Sequence, residues 1–389
     1  MRTFEFKGVE LKVIKLNSDT DLKGLLTKIG VDRVGVEIMA EKKCENLFLI
    51  KELPTPAANI LKQDALSIGA EAALPKGAVN CEVKFVDCVL ICSTKQLKQL
   101  IKKASKQPFG LKNLSFYLKE FLKSPSFEKK VMGIINANSD SFYEGSRFLG
   151  KEALSKIEEM INDGAKIIDV GAVSTRPGSE YPGVGEEFAR IKPIIDELKK
   201  SGLMKHAVFS IDTFTPEVLE YALDSGFEIA NDITGLESDE YAKIVAKYDA
   251  SVVIMHKKGT PKTMQQAPFY EDVISEVDSF FEERINKALR FGINKIILDV
   301  GIGFGKRKED NLALIKHMEH FTRFGYELLL GASRKSLIDM IIPTPIDERL
   351  PGSLILHTYS KSVSIIRVHD VKAHVQALAV MEALRRFDV

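Results

Sequence analysis

The chain has 389 residues, of which 45% are hydrophobic and 28% charged, so it is long enough for one large domain and a smaller one. Its formal net charge of +1 gives no overall field that would favour nucleic acid or an anionic membrane surface as a partner. No apolar run reaches the ~18 residues that a membrane span needs, and no long apolar stretch follows the basic start. We therefore expect a globular cytoplasmic protein with no nucleic-acid or membrane partner.

Residues 1–125 are predicted to form a separate, smaller α+β domain. Segments 31–40 (VDRVGVEIMA) and 81–92 (CEVKFVDCVLIC) are rich in β-branched residues and are predicted to be strands. Segments 56–69 and 93–106 have apolar residues at helical spacing and are predicted to be helices. The residues assign no role to this domain; aiding assembly and covering the surface of the second domain are the alternatives, and covering is favoured.

From residue 126 to residue 389, short apolar runs alternate with amphipathic segments. The runs include VMGIIN (131–136), KIIDVG (166–171), AVFSID (207–212) and SIIRVH (364–369). Continuous apolar strands separated by helices predict a parallel sheet covered on both faces, and about eight such units are typical of a (β/α)8 TIM barrel. A doubly wound open sheet is the alternative, but its first turn should be rich in glycine, and the first turn here, INANSDSF, contains none.

Nearly every predicted strand ends in polar residues, and in a barrel these ends form one rim where active sites lie. The residues are Asn136, Asp169, Asp212, Asn231, Asp232, His256, Asp299, Arg367 and His369. A helix cap or a turn residue is the simpler interpretation of a single aspartate, and it is adopted for Asp169, Asp232 and Asp370. A rim that combines carboxylates, amides and cations instead indicates a ligand site.

Asp212, Asn231 and Asp299 offer two carboxylates and an amide to a ligand at this rim. Buried carboxylates are costly without partners, and a planar ring with several N–H groups, such as an aminopyrimidinone, would supply them. Lys335 and Arg367 can donate to the acceptors of such a ring, and arginine can also stack on it. These residues therefore predict a site for a ring of this kind.

A second, more cationic group at the rim consists of Asn136, Arg176, Arg367 and His369. It suits a phosphate or diphosphate whose oxygens are shared with a divalent cation. The segment GIGFGK at 301–306 resembles a phosphate loop but lacks the Walker spacing and the hydroxyl residue after its lysine. We expect its glycines to let the backbone approach a ligand, with Phe304 as an apolar wall.

A series of motifs, in a fixed order over residues 129–389, resembles the dihydropteroate synthase family. The motifs are VMGIINANSDSFYEG, IIDVGAVSTRPG, SIDTFTPEV, IANDITG, IMHKKGTPKTMQ, ILDVGIGFGK, LLLGASRKSLI, ERLPGSL and IIRVHDV. The resemblance implies a (β/α)8 barrel and a transferase of folate biosynthesis. That transferase joins p-aminobenzoate to (7,8-dihydropterin-6-yl)methyl diphosphate with Mg²⁺ present, releases diphosphate, and is the target of sulfonamides. It also implies a homodimer formed through the last barrel helices, while the first domain resembles extensions of some longer bacterial members.

The resemblance also implies roles for individual residues. The pterin would be bound by Asp212, Asn231, Ile233, Met255, Asp299, Lys335 and Arg367. The diphosphate would be bound by Asn136, Thr175, Arg176, Arg367 and His369, and Asn136 would also meet Mg²⁺. The p-aminobenzoate site would be formed by Thr175, Arg176, Pro177, Phe304, Ser333 and Lys335. The residues that it implies for catalysis are Arg176, Asp212, Lys335 and Arg367.

Two other functions remain as alternatives at this point. A methyltetrahydrofolate–corrinoid methyltransferase of the same superfamily would share the pterin floor, but methyl transfer needs neither the Ser-Thr-Arg-Pro loop nor the lysine of SRKS. A non-catalytic pterin-binding paralogue would have no reason to retain Asn136, Arg176, Lys335, Arg367 and His369 together. The chain contains no HExxH and no Gly-x-Ser-x-Gly motif, which disfavours a histidine zinc site and a serine hydrolase.

Overall fold

The structure, a computed structural model, describes residues 3–6, 9–12, 22–42, 45–123, 125, 127–137, 146–173, 181–259, 264 and 267–386. The chain divides into two compact units. One comprises Met1–Lys123 with Met381–Val389, and the other comprises Ser124–Val380.

The smaller unit combines short helices with antiparallel strands. Its elements are β1 (Thr3–Phe6), β2 (Val9–Lys12), α1 (Leu22–Lys28), α2 (Arg33–Ala40), β3 (Glu45–Pro54), α3 (Thr55–Leu66), β4 (Glu71–Ala73), β5 (Phe85–Ser93), α4 (Thr94–Ala104) and α5 (Leu111–Glu120). Strands β3, β5 and β4 form an antiparallel sheet in that order, and β1 pairs with β2. Along β5, buried and exposed residues alternate, so one face of the sheet packs against the apolar core that α3 and α4 share. The α+β character predicted for this part of the chain is confirmed.

One of the predicted strands is a helix. Residues Arg33–Ala40 form α2, and the Asp32 side chain caps its start by accepting a hydrogen bond of 2.9 Å from the backbone N–H of Gly35. The β-branched residues of this segment favour a strand, but Val36 is its one buried residue. A strand packed in a sheet would bury a row of alternate side chains, and this segment does not, so the cap at Asp32 favours the helix. The helices predicted over 56–69 and 93–106 correspond to α3 and α4.

The larger unit alternates strands with helices. Its elements are β6 (Lys130–Asn136), α6 (Ser146–Asn162), β7 (Ile167–Gly171), α7 (Val184–Ser201), β8 (Val208–Asp212), α8 (Pro216–Asp224), β9 (Ile229–Asp232), α9 (Asp239–Lys247), β10 (Ser251–Met255), α10 (Val273–Arg290), β11 (Ile296–Asp299), α11 (Lys308–Lys316), β12 (Glu327–Leu330), α12 (Ser336–Ile341), α13 (Leu350–Tyr359), β13 (Ile365–Val368) and α14 (Val371–Arg386).

The eight strands β6–β13 are parallel and close into a barrel in chain order, with β13 paired to β6. One apolar residue from each strand contributes to a separate cluster, as expected for a barrel interior filled with side chains: Met132, Ile167, Val208, Ile229, Val253, Ile297, Leu329 and Ile365. The outer faces of the strands join the helices in the main core. The predicted (β/α)8 barrel is therefore confirmed. Within the part of the chain that the structure describes, no helix combines the length and apolar character needed to cross a membrane.

Candidate active site

The polar residues at the carboxyl ends of the strands share one end of the barrel because parallel strands all point the same way. Asp212 closes β8 and Asp299 closes β11, while Asn231 and Arg367 each precede the last residue of their strand. In the strand register Asp212 is level with Asn231, and Asp299 is level with Met255. The closed sheet therefore brings together side chains that are far apart in sequence.

Arg367 links two carboxylates at the centre of this group. Its Nε donates to Asp169 Oδ2 over 2.6 Å, and its Nη2 donates to Asp212 Oδ2 over 2.7 Å. Asn231 Nδ2 donates to the same Asp169 oxygen over 3.0 Å. Asp169 is completely buried, so the interpretation of this residue as a cap or turn residue was wrong. It orients Arg367 and Asn231 from inside the barrel.

Of the other two aspartates interpreted as turn or cap residues, Asp232 has local partners, whereas the side chain of Asp370 has a distant one. Asp232 accepts hydrogen bonds from the backbone N–H groups of Thr234 (2.7 Å) and Leu236 (2.8 Å), which confirms it as a turn residue. Asp370 forms a two-pronged ion pair with Arg334, each hydrogen bond being 2.8 Å long.

The surroundings oppose ionisation of the two aspartates that face the site. Burial is the largest cause that raises the pKa of Asp212, to about 7, and Asp169 adds to the rise while Arg367 counteracts it. Burial also raises the pKa of Asp299, although Lys335 and the backbone N–H of Gly301, at 2.8 Å, favour the charged form. A ligand with N–H donors or developing positive charge would lower both pKa values.

Lys335, on the loop after β12, interacts electrostatically with Asp299 and Asp212. Its Nζ donates to the carbonyl of Ile302 over 2.5 Å and lies 4.7 Å from the ring centroid of Phe304. Burial lowers the pKa of Lys335 to about 8, with Asp299 and Arg367 acting in opposite directions. With all groups ionised, the three carboxylates of Asp169, Asp212 and Asp299 outnumber the two cations, so the site favours a ligand that donates hydrogen bonds or becomes positively charged.

Ser333 and His369 connect the loops after β12 and β13. The backbone N–H of His369 donates to Ser333 Oγ over 3.2 Å, and His369 Nδ1 lies 3.0 Å from the same oxygen. Ser333 is buried and His369 is half-buried. The two residues predicted for different substrates are therefore in direct contact.

Two glycines of the GIGFGK segment lie against protein backbone. A Cβ on Gly301 would lie 1.9 Å from the carbonyl oxygen of His256, and one on Gly305 would lie 2.1 Å from that of Lys258. Both glycines have positive φ, so no other residue fits either position. The expectation that these two glycines make room for a ligand was wrong, because they make room for the chain that leaves β10.

The side chain of Lys306 holds this segment in place. This side chain is fully buried, and its Nζ donates to the carbonyls of His256 (3.1 Å), Gly301 (2.9 Å) and Phe304 (3.1 Å). Burial is the largest cause that lowers the pKa of Lys306, to about 7. The lysine therefore ties together the two loops that follow β10 and β11, and with them Phe304.

The remaining predicted site residues lie in different surroundings. Ile233 and Met255 are buried at the ends of β9 and β10, and Asn136 is exposed at the end of β6. Thr175, Arg176 and Pro177 lie outside the described residues. Across the described ranges, no cluster of three His, Cys, Asp or Glu side chains could hold a metal ion.

A buried carboxylate that the sequence analysis did not single out holds the loop that follows Asp212. Glu187, at the start of α7, accepts hydrogen bonds of 2.5 Å from Thr213 Oγ1 and from Thr215 Oγ1, and one of 3.1 Å from Tyr181. Thr213 follows Asp212 directly in the chain, and Thr215 comes two residues later. The one available signal was their spacing, since hydroxyls at alternate positions after a strand can converge on one acceptor.

Comparisons with known proteins agree with this arrangement. The family model described as "Pterin binding enzyme" matches residues 132–369. A relative from Helicobacter pylori, named bifunctional dihydropteroate synthase/dihydropteroate reductase, is 41% identical over 97% of this chain and 100% of that protein.

Two solved structures resemble about two thirds of this chain. The Yersinia pestis dihydropteroate synthase in complex with a sulfonamide drug matches with a TM-score of 0.63 and 34% identity, covering 67% of this chain and 95% of that chain. The Xanthomonas albilineans dihydropteroate synthase with 4-aminobenzoic acid matches with a TM-score of 0.61 and 34% identity, covering 67% of this chain and 94% of that chain.

Proposed function

Because the chain belongs to the pterin-binding enzyme family and is a transferase of folate biosynthesis with dihydropteroate synthase activity, we propose how its residues divide that reaction. Asp212, Asn231, Asp299, Lys335 and Arg367 hold the pterin ring, with Ile233 and Met255 as its apolar surroundings. Ser333, Phe304 and Lys335 form one side of the p-aminobenzoate site, together with Thr175, Arg176 and Pro177. Asn136, His369 and Arg367 bind the diphosphate with Thr175 and Arg176.

The proposed reaction forms a positive charge on the pterin and a negative charge on the diphosphate. The residues near each group carry the opposite charge. The bond between the methylene carbon of the pterin and the diphosphate oxygen breaks, and the positive charge spreads into the pterin ring. The carboxylate of Asp212, held by Arg367 at 2.7 Å, stabilises that cation. Arg176, Arg367 and His369 stabilise the negative charge on the diphosphate. The neutral aniline nitrogen of p-aminobenzoate then bonds to the methylene carbon and loses a proton.

Mg²⁺ belongs to the diphosphate end of this proposal. Magnesium usually keeps several waters and binds through one or two protein oxygens together with substrate phosphates, so a single exposed Asn136 at the end of β6 suits it. Asn136 would hold the ion by its carboxamide oxygen. The ion would supply positive charge to the leaving diphosphate.

The observation that carries the proposal is the group of four strand-end residues Asp212, Asn231, Asp299 and Arg367, with Lys335 on the loop after β12. It predicts that Asp299→Asn raises KM for the pterin diphosphate at least about tenfold and changes KM for p-aminobenzoate little. The assay follows dihydropteroate and released diphosphate together, with and without a chelator of Mg²⁺. Asp249→Asn is the matched control, because Asp249 is exposed and lies before β10, at the opposite end of the barrel.

Equal amounts of the two products, lost on chelation, with a pterin-specific defect only in Asp299→Asn, would support the proposal. Pterin binding without either product would contradict it and favour the methyltransferase, which the named relatives do not support. An Asp299→Asn enzyme with an unchanged KM for the pterin diphosphate would remove Asp299 from the pterin site.

We also propose a second activity, reduction of dihydropteroate, for the full chain. The supporting observation is that the Helicobacter pylori protein, named as bifunctional, matches 97% of this chain, whereas the Yersinia pestis synthase covers only 67%. The difference in coverage is close to the length of the smaller unit. In the proposed step a hydride from a reduced nicotinamide or a reduced flavin adds to C6 of the dihydropterin, and a proton adds to N5, so the C=N bond becomes a single bond.

The reductase proposal is tested with the full-length protein and dihydropteroate. Reduced nicotinamide, alone and with a flavin, is supplied, and the product is identified by mass spectrometry as the compound with two more hydrogens. Oxidation of the hydride donor in step with that product would support the activity. Failure to form it with either donor, in protein whose synthase activity is intact, would reject it.

We propose that the protein forms a homodimer through the last barrel helices. Ile342, Ile346, Ile355 and Tyr359, in and around α12 and α13, are each more than half exposed. Exposed apolar side chains in one region commonly mark an interface with another protein.

The cytoplasmic location stays a prediction of the sequence.

A further inference from the structure

Two buried histidines lie directly beneath the rim of the barrel, outside every group proposed to bind a ligand. His357 is on α13 and His374 is on α14, and neither side chain is more than 1% exposed. His357 Nδ1 and His374 Nε2 are 2.9 Å apart. Their rings therefore form a direct hydrogen bond between two helices that follow successive strands.

The geometry fixes the proton positions in both rings. The backbone N–H of Ala332 donates to His357 Nε2 over 3.1 Å, so that nitrogen carries no proton. A neutral His357 must then carry its proton on Nδ1 and donate it to His374 Nε2. His374 in turn carries its proton on Nδ1, which donates to the carbonyl of Asp370 over 2.8 Å. Each ring accepts one hydrogen bond and donates one.

The two ends of this chain of hydrogen bonds adjoin site residues. Ala332 precedes Ser333 in the loop after β12, and Asp370 follows His369 in the loop after β13. Ser333 and His369 are themselves in contact, at 3.0 Å between Oγ and Nδ1. The histidine pair is therefore a second connection between the same two loops, made from below.

The loop after β12 has a conformation that needs such support. Arg334 has a φ of 53°, in the left-handed region that a residue with a side chain rarely adopts. Its backbone N–H donates to Ser353 Oγ over 2.8 Å, and its guanidinium pairs with Asp370. An apolar pair of the same size could fill the space of the histidines, but it would leave the Ala332 N–H without its acceptor.

We propose that His357 and His374 are positioning residues, which set the placement of Ser333 and His369 for p-aminobenzoate and diphosphate. This inference rests on the ligand roles proposed above for Ser333 and His369. The pair acts through the loop backbones and touches no substrate. Its effect is therefore on binding at this side of the site. The pterin ring keeps Asp212, Asn231 and Asp299, which lie on β8, β9 and β11 and outside these two loops, so we expect its binding to change less.

The test compares His357→Leu with His357→Gln in the full-length enzyme. Leucine removes both hydrogen bonds of the ring, and we expect KM for p-aminobenzoate to rise about tenfold. KM for the pterin diphosphate should also rise, because His369 is proposed to bind its diphosphate, while the affinity for the hydroxymethyl dihydropterin, which lacks the diphosphate, stays within about twofold. Glutamine offers one acceptor and one donor, and we expect it to restore most of the loss. Rescue by glutamine is the result that a purely space-filling role would not give, because both variants change the packing.

A second variant covers the case in which His357→Leu does not fold. His374→Leu keeps the bond between Ala332 and His357, and we expect the same rises in KM with a smaller size. Loss of stability with unchanged KM values in either folded variant would overturn the inference. So would an equal rise in KM for leucine and glutamine at position 357.

Ser333→Ala separates failure of this inference from failure of the proposed ligand roles. If Ser333→Ala raises KM for p-aminobenzoate and the histidine variants do not, the positioning role is wrong and the role of Ser333 stands. If Ser333→Ala itself has no effect on that KM, the ligand role proposed for Ser333 is wrong, and the inference falls with it.

Discussion

Asp212 lies between a guanidinium that stabilises its charged form and carboxylates that destabilise it. Burial is the largest cause of its raised pKa of about 7, and Asp169, Glu187 and Asp232 add to the rise. Because this value lies above the usual 3.8, the carboxylate dominates only above about pH 7. A group proposed to stabilise a cation must be ionised to act, so its titration controls the rate.

We expect kcat/KM for the pterin diphosphate to fall about tenfold per pH unit below about pH 7. Glu187→Gln removes a negative charge that raises the pKa of Asp212, while the glutamine oxygen can still accept a hydrogen bond from Thr213 or Thr215. We therefore expect the acid limb of this variant to move to lower pH. The measurement is kcat/KM from pH 5 to pH 9 for both proteins. Limbs with the same midpoint would assign the titration to the diphosphate of the substrate instead of to Asp212.

The chemistry of the site was predictable from the polar strand ends, but the part played by Asp169 was not. An aspartate inside the apolar run IIDVG has no local partner, and a buried carboxylate without one is unfavourable. That run was a signal for a distant cation. Its identity depends on closure of the barrel, which brings Arg367 to it from 198 residues away.

At the scale of elements, the segment 301–306 shows that a glycine-rich motif does not identify the group that its backbone approaches. Its sequence predicts close approach of backbone, but not whether a ligand or another loop is approached. In the structure, Gly301 and Gly305 lie against the chain after β10, and Lys306 donates hydrogen bonds to three carbonyls. A buried lysine in such a place acts as a structural clamp between two active-site loops.

We expect Lys306→Met to lower the free energy of unfolding by about 3 kcal/mol, because methionine fills the space but leaves three carbonyls without their buried donor. KM for both substrates should also rise, since Phe304 and Lys335 lie on or against this loop. Urea denaturation and steady-state kinetics measure the two effects. Lys316→Met, at an exposed position on α11, should change neither. A fully stable Lys306→Met protein with unchanged KM values would contradict the clamp.

Secondary structure was predicted correctly where apolar residues repeat at clear helical spacing. It was predicted wrongly where a strand-like alternation and a helix cap occur in the same segment. Helices α3 and α4 have one apolar stripe each, and both were found. In α2 the residues Val34, Val36 and Ile38 alternate as in a strand, yet Val34 and Ile38 are exposed and the capped start at Asp32 decides for a helix.

For the chain as a whole, repetition made the barrel predictable. Eight successive apolar runs, each followed by a helical pattern, admit few arrangements, so an error in one element would not change the architecture. The smaller unit has no such repetition, and its pairing of β3 with β5 and β4 depends on contacts that no local pattern specifies. The reductase activity proposed for the full chain rests on the name of the full-length relative and on no residue of this unit.

The proposed dimer leads to a prediction about the mass of the assembly. Ile355 and Tyr359 are one helical turn apart on α13 and are 67% and 59% exposed. A lysine at position 355 would place a charge within an apolar interface without disturbing the buried face of the helix, where His357 lies. We therefore expect Ile355→Lys to halve the mass measured by size-exclusion chromatography with light scattering at micromolar concentrations. Leu289→Lys is the matched control, because Leu289 is exposed on α10, outside the proposed surface. A monomeric wild-type protein, or two variants that both keep the mass of a dimer, would reject α13 as the interface.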